Sequence, residues 1–256
     1  MSTGIHSFCS LTAFELLSVW ERGIGSTQLE RALLLIAAAY PGETSPEQLS
    51  IGERDDRLLM LRESMFGPAV SCIAACPACR ERLDAEFTIA DLLKSARPEV
   101  NKIFEVSNEG LKLKIRLPNS ADLMSLIPED SILLNRSRLF RRCVVDARDP
   151  DRPMAMEDVS DSTIEAVGKI MSESDPQADI QVHLQCACCD HPWDICFDTL
   201  AYFWKEIESW AKRILADVHL IASEYGWDER EILSLSPLRR QCYLDLIAAD
   251  RGVSIE

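Results

Sequence analysis

The fold is decided by two short stretches that lie far apart in the sequence, Ala75-Cys76-Pro77-Ala78-Cys79 and Gln185-Cys186-Ala187-Cys188-Cys189. Each contains a C-x-x-C motif, and the residues that follow also match, with Leu83 corresponding to Trp193. After both motifs, apolar and polar residues alternate, which is typical of a strand. The chain therefore contains the same small unit twice: a cysteine knuckle, a turn and a strand.

Two knuckles that face each other supply four thiolates in a tetrahedron, which is the arrangement a structural zinc site requires. The predicted ligands are Cys76, Cys79, Cys186 and Cys189. The interval between the motifs, residues 80–185, is much longer than in a usual zinc ribbon. Two alternatives therefore stay open: both motifs are reduced thiol pairs in a core, or one of them is a redox motif.

Neighbouring residues compete as ligands. Cys188 lies inside the second motif, but its use would lose the two-residue spacing, and the counterpart of His191 in the first knuckle is Glu81. His183 alternates with apolar strand residues, so we expect it to face solvent. The remaining cysteines are expected to be small buried hydrophobic residues: Cys9, Cys72, Cys143, Cys196 and Cys242.

Composition narrows the class of protein. The chain has 256 residues and a formal net charge of −15, which argues against a nucleic-acid partner because phosphate binding needs clustered Lys and Arg. The apolar run Ala32–Ala39 is too short to cross a bilayer, and Met1–Ser10 lacks the pattern of a signal peptide. Ten cysteines in an unexported chain favour metal ligation over disulfides. We expect a cytoplasmic protein without membrane insertion.

The sequence gives little evidence of a catalytic site. The sequence has no G-x-S-x-G, P-loop, G-x-G-x-x-G or H-E-x-x-H motif. Redox use of Cys76-Pro77-Ala78-Cys79 would require a following helix whose dipole lowers the thiol pKa, whereas the following residues alternate like a strand. A catalytic zinc would keep an open coordination position, and four cysteines close it. We therefore predict that the protein is not an enzyme.

The local pattern predicts an α+β fold in which helical N- and C-terminal parts surround a small antiparallel sheet. Three capping boxes, beginning at Thr12, Thr27 and Ser50, each open a helix near the N-terminus. A long amphipathic helix is predicted over Thr199–Tyr225. The predicted parts are an N-terminal helical part (1–69), a zinc-ribbon-like core in two halves (70–89 and 180–198), an α+β insertion (90–179) and a C-terminal helical tail (199–256).

Inside the insertion, the pattern predicts a hairpin and several helices. The hairpin strands, Ile103–Val106 and Leu111–Leu117, flank a turn that contains Gly110. Helices are predicted over 121–127, 131–146 and 158–172, and a polar, proline-marked loop over 146–153.

The tail after Gly226 predicts two shorter helices, Trp227–Leu233 and Pro237–Ala248. These helices are rich in Leu and Ile. Two interpretations stay open for their apolar residues: they join the core, or they need a partner surface.

Several of these stretches together resemble a known family, the T-even-phage-type baseplate hub assembly chaperones and their relatives encoded with contractile phage-tail-like injection systems. The matching pattern begins with Leu16-Leu17-Ser18-Val19-Trp20-Glu21-Arg22-Gly23 and continues with Ile51-Gly52-Glu53-Arg54-Asp55. It then runs through Leu61-Arg62-Glu63-Ser64-Met65-Phe66-Gly67 into the first knuckle and reappears at the second. The stretch Trp227–Leu235 is similar to a helical tail found among phage-tail-like gene products. One departure concerns the knuckle turn, because relatives commonly have Gly where this chain has Arg80 and Asp190.

The resemblance implies a cytoplasmic, non-catalytic protein that helps to assemble the baseplate hub, or remains as a minor baseplate component, by binding hub or spike subunits. An acidic surface would speed encounter with a basic partner. Two rival classes are a zinc-ribbon interaction or regulatory module and a C-x-x-C thiol oxidoreductase.

Overall fold

The computed structural model describes residues 8–94, 103–108, 110–148 and 159–252. They form two compact units, one combining the residues up to Gly42 with those from Leu200 onward, and the other containing Glu43–Thr199. Helices and small antiparallel sheets occur together, so the predicted α+β class is confirmed.

The helices, in chain order, are α1 (Ala13–Gly23), α2 (Gln28–Ala39), α3 (Ile51–Phe66), α4 (Ile89–Leu92), α5 (Ser120–Leu123), α6 (Ile132–Cys143), α7 (Asp161–Ser174), α8 (Thr199–Tyr225), α9 (Glu229–Ser234) and α10 (Pro237–Asp250). The strands are β1 (Ala69–Ala75), β2 (Arg82–Thr88), β3 (Ile103–Asn108), β4 (Leu111–Arg116), β5 (Val144–Arg148), β6 (Gln181–Gln185) and β7 (Pro192–Cys196). Short 3₁₀ helices occupy Pro46–Gln48 and Pro176–Ala178.

The predicted capping boxes are confirmed at the start of α1, α2 and α3. The side chains of Thr12, Thr27 and Ser50 each accept a hydrogen bond from the backbone N–H three residues on, and the Glu at that position bonds back. Such caps satisfy N–H groups that have no partner inside the helix. The predicted bounds of α8 are also confirmed, and Gly226 follows it with φ of 69°.

The first unit is built along the long helix α8. One cluster of buried residues joins Leu17 of α1 and Leu233 of α9 to α8. A second cluster joins Ile232 of α9 and Ile247 of α10 to Ile221 of α8. These apolar residues of the tail therefore join the core, which is the first of the two interpretations given above.

The second unit contains a three-stranded antiparallel sheet in the order β3-β4-β5. Val106, Leu113 and Ile115 line its buried face and pack against Phe140 of α6 and Val167 of α7. The predicted hairpin is thus confirmed, and the alternation of β4 is what places its apolar residues on one face.

One element of the insertion was predicted wrongly. The helix predicted over 131–146 ends at Cys143, and Val144–Arg148 form β5, which pairs with β4. Val144 and Val145 are β-branched and suit a strand, and the edge of β4 offers free backbone groups to pair with. Part of the loop predicted over 146–153 is therefore strand, and the rest of that loop lies outside the described residues. The helix predicted over 158–172 spans Asp161–Ser174, and the one predicted over 121–127 is the short α5.

Each knuckle carries its own two-stranded antiparallel sheet, so the expected small sheet is two separate hairpins. In the first hairpin β1 pairs with β2, and in the second β6 pairs with β7. The rings of Phe87 and Phe197, which occupy equivalent positions in the repeat, meet edge to face with centroids 5.6 Å apart. The two hairpins are therefore in contact through the same side chain of each repeat.

Candidate metal centre

The two knuckles have the same backbone hydrogen bonds. In the first, the N–H of Arg80 donates to the carbonyl of Cys76 at 2.9 Å, and the N–H of Cys76 donates to the carbonyl of Glu81 at 2.9 Å. In the second, Asp190 and His191 take the places of Arg80 and Glu81, with distances of 2.9 and 3.0 Å to Cys186. The repeat seen in the sequence is therefore a repeat of backbone structure.

The knuckle turn requires a left-handed residue after the second cysteine. Arg80 has φ of 64° and Asp190 has φ of 57°, and they are the positive-φ residues other than glycine in the described part of the chain. This conformation favours glycine because Cβ crowds the backbone, at a cost of about 1 kcal/mol or more per residue. Both knuckles therefore keep this turn, although Arg80 and Asp190 stand where relatives of the resembled family commonly have Gly.

The four predicted ligand residues come together. Their sulfur atoms all lie within 4.8 Å of one another. The Sγ atoms of Cys76 and Cys189 are 3.7 Å apart, and those of Cys79 and Cys186 are 3.5 Å apart. Tetrahedral zinc with Zn–S bonds of 2.3 Å would place its sulfurs about 3.8 Å apart. The donor set and its spacing therefore fit a tetrahedral thiolate metal site.

The competing ligands do not join this cluster of four. The N–H of Cys188 donates to the sulfur of Cys186 at 3.4 Å, so Cys188 supports a ligand residue through its backbone. The ring of His191 stacks on Trp193, with centroids 6.5 Å apart. As expected, His183 is exposed, and its Nδ1 lies 2.9 Å from a carboxylate oxygen of Asp194 on the neighbouring strand.

The electrostatics of the four thiols are uneven. Burial raises the pKa of Cys76, but the N–H groups of Cys79 and Ala78 donate to its sulfur and outweigh burial, so the pKa falls to about 7. For Cys79, the N–H of Glu81 lowers the pKa, but desolvation and the neighbouring thiols raise it to about 12. When no cation is present, desolvation and the neighbouring thiols therefore oppose the ionisation of Cys79. A bound dication reverses this, because metal ligation requires thiolates.

Polar contacts that the sequence did not reveal also hold the two halves together. The carboxylate of Asp175 accepts a hydrogen bond from the N–H of Gly52 at 2.9 Å, which caps the start of α3. The side chain of Gln177 accepts from the N–H of Lys94 at 2.7 Å and donates to the carbonyl of Leu92 at 3.3 Å. Asp175 and Gln177 lie just before β6, and α3 and α4 flank the first hairpin. The segment thus fixes the second knuckle beside the first.

The prediction for the other cysteines is partly wrong. Cys143 is buried and Cys72 is half-buried, but Cys9, Cys196 and Cys242 are exposed. Cys196 ends β7 with its side chain on the open face of a two-stranded sheet, where alternation alone does not show which face is covered. Burial raises the pKa of the Cys143 thiol to about 12, which makes it inert.

A comparison with known proteins defines the class. Residues 15–205 match the model of the family described as T4 bacteriophage base plate protein. The chain belongs to this family, and it is therefore a baseplate-type protein. No curated protein and no solved structure matches it. Among the described helices, none has the length and apolar character needed to cross a membrane.

Proposed function

We propose that the protein is a non-enzymatic assembly factor, or a minor component, of the baseplate hub of a contractile phage tail or phage-tail-like injection system. The observation that carries this proposal is the family match over residues 15–205. The protein acts in the cytoplasm, where such particles are assembled, and binds hub or spike subunits. Its net charge of −15 suits encounter with a basic partner and limits self-association through unspecific contacts.

The metal in this proposal is structural zinc, held by Cys76, Cys79, Cys186 and Cys189. Four thiolates leave no open coordination position, so the ion supplies a cross-link and no reaction. The cross-link joins two hairpins that are separated by most of the second unit in sequence. It therefore removes much conformational freedom from the unfolded chain, as a disulfide across a long loop does.

Metal analysis tests this cross-link directly. Mass spectrometry of purified wild-type protein should find one zinc per chain. Cys79→Ser and Cys186→Ser should each lose it, together with thermal stability, because each hairpin supplies half of the ligands. Loss of metal in only one of the two variants would show that the knuckles do not share a site.

An apolar surface at the start of α6 is the candidate contact for a baseplate subunit. Ile132, Leu133 and Leu134 are consecutive, and their exposed fractions are 86%, 63% and 58%. Exposed runs of this kind are uncommon in monomeric proteins and mark interaction sites. Ile127 is also exposed and lies next to α6, because its backbone N–H donates to the side chain of Asn135 and its carbonyl accepts from it.

The surface is held on a rigid base. The buried carboxylate of Asp122 in α5 accepts hydrogen bonds from Arg116 of β4 and Arg142 of α6, at 2.9 Å to each of them through Oδ1. The charge-assisted bonds lower the pKa of Asp122 against the effect of burial. These bonds join β4, α5 and the C-terminal end of α6, so the helix that carries the apolar surface is fixed to the sheet. In this proposal, the apolar surface of α6 binds an apolar surface of a hub or spike subunit. It covers that surface until the next subunit arrives.

Co-expression with the complete gene cluster tests the function. Tagged wild-type protein should recover a hub or spike subunit, and Leu133→Glu should abolish recovery and reduce the yield of complete particles. Ile73→Glu is the matched control, because Ile73 is also an exposed apolar residue of the second unit but lies on β1. Recovery of no baseplate component by the wild type would refute the proposed function.

The rival classes make different predictions. A zinc-ribbon regulator would shift nucleic acid in a gel at physiological salt. A thiol oxidoreductase would reduce insulin and show pH-dependent alkylation of one cysteine. The structure gives the redox alternative little support, since β2 and β7 follow the two motifs where redox motifs have a helix.

A further inference from the structure

Each knuckle contributes one exposed and one buried cysteine to the cluster of four. Cys79 and Cys189 are exposed, whereas Cys76 and Cys186 are buried. An oxidant in solution therefore meets the second cysteine of each knuckle first. Accessible thiolates that lie next to another cysteine are the usual targets of reversible oxidation, because the neighbouring thiol converts the first oxidation product to a disulfide.

The close sulfur pairs join opposite knuckles. Cys189 Sγ lies 3.7 Å from Cys76 Sγ, and Cys79 Sγ lies 3.5 Å from Cys186 Sγ. Each pair combines an exposed cysteine, which meets the oxidant, with a buried cysteine, which can complete the disulfide. A bond of about 2.05 Å between the two sulfurs requires each of them to move by less than about 1 Å.

Contacts outside the cluster hold the two knuckles next to each other. The rings of Phe87 and Phe197 meet between the hairpins. The carboxylate of Asp175, just before β6, accepts a hydrogen bond from the N–H of Gly52 at the start of α3. Because none of these contacts uses a cysteine, the sulfur pairs stay adjacent when no metal is bound.

Cys188 is exposed beside the cluster but is a poor disulfide partner for Cys189. Consecutive Cα atoms are about 3.8 Å apart, whereas the Cα atoms of ordinary disulfides are at least about 4.4 Å apart. A bond between these neighbours would therefore strain the backbone. We expect Cys188 to remain a free thiol.

We propose that the cluster is an oxidation site in which a peroxide converts the four thiolates to two disulfides, Cys76–Cys189 and Cys79–Cys186. The two disulfides then replace the metal as the link between the hairpins. The inference rests on the cluster that the proposed function assigns to zinc, and it adds a second chemical state of that cluster. The protein is the target of this oxidation and does not pass the electrons to another protein.

The oxidation of each pair balances with one peroxide. The exposed thiolate attacks a peroxide oxygen, the O–O bond breaks, and a sulfenic acid and a hydroxide form. The buried thiolate then attacks the sulfenic sulfur, so that the S–S bond forms and a second hydroxide leaves. Two protons from solvent convert both hydroxides to water. The metal leaves with its charge unchanged, because metal ligation requires thiolates and none remain in the cluster.

Disulfide mapping tests the link between the knuckles. Wild-type protein is treated with hydrogen peroxide, free thiols are alkylated, and a tryptic digest without reduction is analysed by mass spectrometry. Trypsin separates the knuckles, because the first lies in the peptide Glu63–Arg80. The expected result is two disulfides between the peptides of the two knuckles, with loss of the metal. Disulfides confined to one peptide, or sulfinic acids without disulfides, would overturn the proposal.

Two matched double variants test which sulfurs pair. Cys79→Ser with Cys186→Ser keeps the proposed pair Cys76 and Cys189. Cys79→Ser with Cys189→Ser keeps Cys76 and Cys186, which are both buried. Each variant lacks two ligands of the metal. The first variant should form its disulfide at least tenfold faster, because one of its thiols meets peroxide directly, and equal rates would refute the pairing.

Thermal unfolding tests whether the disulfides replace the metal link. Oxidised wild type should melt at least about 5 °C above reduced protein treated with a chelator, because disulfides across a long loop restrict the unfolded chain. Cys188→Ser is the control and should melt like wild type after oxidation. Equal melting temperatures of the oxidised and the chelated wild type would overturn the proposal. Absence of metal from the purified protein would refute only the metal centre, and failure to recover a baseplate subunit would refute only the proposed function.

Discussion

Acid should stabilise the second unit through one buried carboxylate. Asp55 lies in α3 beside the buried guanidinium of Arg54, with 2.7 Å between Asp55 Oδ1 and Arg54 Nε. Burial raises the pKa of Asp55 from 3.8 to about 6, although Arg54 opposes the shift. The nearby carboxylates of Asp175 and Asp198 raise it further.

The sign follows from proton linkage. The folded chain holds the proton of Asp55 more tightly than the unfolded chain, so the free energy of unfolding rises as pH falls. This stabilisation is complete below pH 3.8 and is lost as pH rises through about 6. The pKa difference corresponds to about 3 kcal/mol in full, and to about 1.4 kcal/mol between pH 8 and pH 5.

The variant Asp55→Asn isolates this contribution, because Asn is similar in shape and does not titrate. Urea unfolding of both proteins at pH 5, 6, 7 and 8 gives the difference in free energy of unfolding at each pH. Titration of the cysteines and other carboxylates largely cancels in that difference. The pKa of Asp175 is also raised by burial, and its coupling to Asp55 adds a change of the same sign.

Relative to Asp55→Asn, wild type should gain about 1.4 kcal/mol on going from pH 8 to pH 5. A difference that does not change between pH 5 and pH 8 would show that burial does not raise the pKa of Asp55 above its usual value. If Arg54 dominates and lowers that pKa, the difference changes only at lower pH, where wild type loses stability as pH falls below about 4.

Three further changes probe packing and the cysteine cluster. Gly52→Ala would place Cβ 1.8 Å from the nearer carboxylate oxygen of Asp175, so the cap must move; a loss of roughly 1–3 kcal/mol is expected in urea unfolding, whereas an unaffected cap would give the usual gain of about 1 kcal/mol for a helical Gly→Ala change. Gly23→Ala would place Cβ 2.2 Å from the ring of Trp204 and should cost roughly 1–3 kcal/mol by overpacking, read from thermal unfolding; an unchanged melting temperature would contradict it. Cys188→Ser should leave the metal content unchanged by mass spectrometry, because Cys188 lies outside the cluster of four; loss of metal would place it among the ligands.

Helix starts were predicted correctly where the signal lies within a few neighbouring residues. Thr12 and Glu15 predicted the start of α1 because a capping box is satisfied within a single turn. The end of α6 was missed for the opposite reason. Cys143 continues the helical pattern, and the strand at Val144 exists because β4 lies beside it. The β-branched Val144 and Val145 permit a strand, but the pairing with β4 that forms this strand cannot be read from the local pattern.

The cysteine cluster could be predicted because it is a repeat of a chemically demanding motif. The residues that hold the two halves of the cluster together could not be predicted. Asp175 and Gln177 act on backbone groups of residues far away in the chain, and a backbone partner has no side-chain signature. Whether Cys242 is buried depends on which face of α10 packs against α8. Apolar residues lie on both faces of α10, so the sequence does not show which face is buried.

The distance in sequence between the two hairpins sets an order of events during synthesis. The ribosome makes the first hairpin early, and the thiols of Cys186 and Cys189 emerge only after the whole three-stranded sheet and its helices. A chain that terminates before Cys186 carries an isolated knuckle with two sulfurs, too few to enclose a metal ion. Closure of the cluster therefore coincides with completion of the second unit, and an interrupted translation product lacks half of the sulfurs of the cluster.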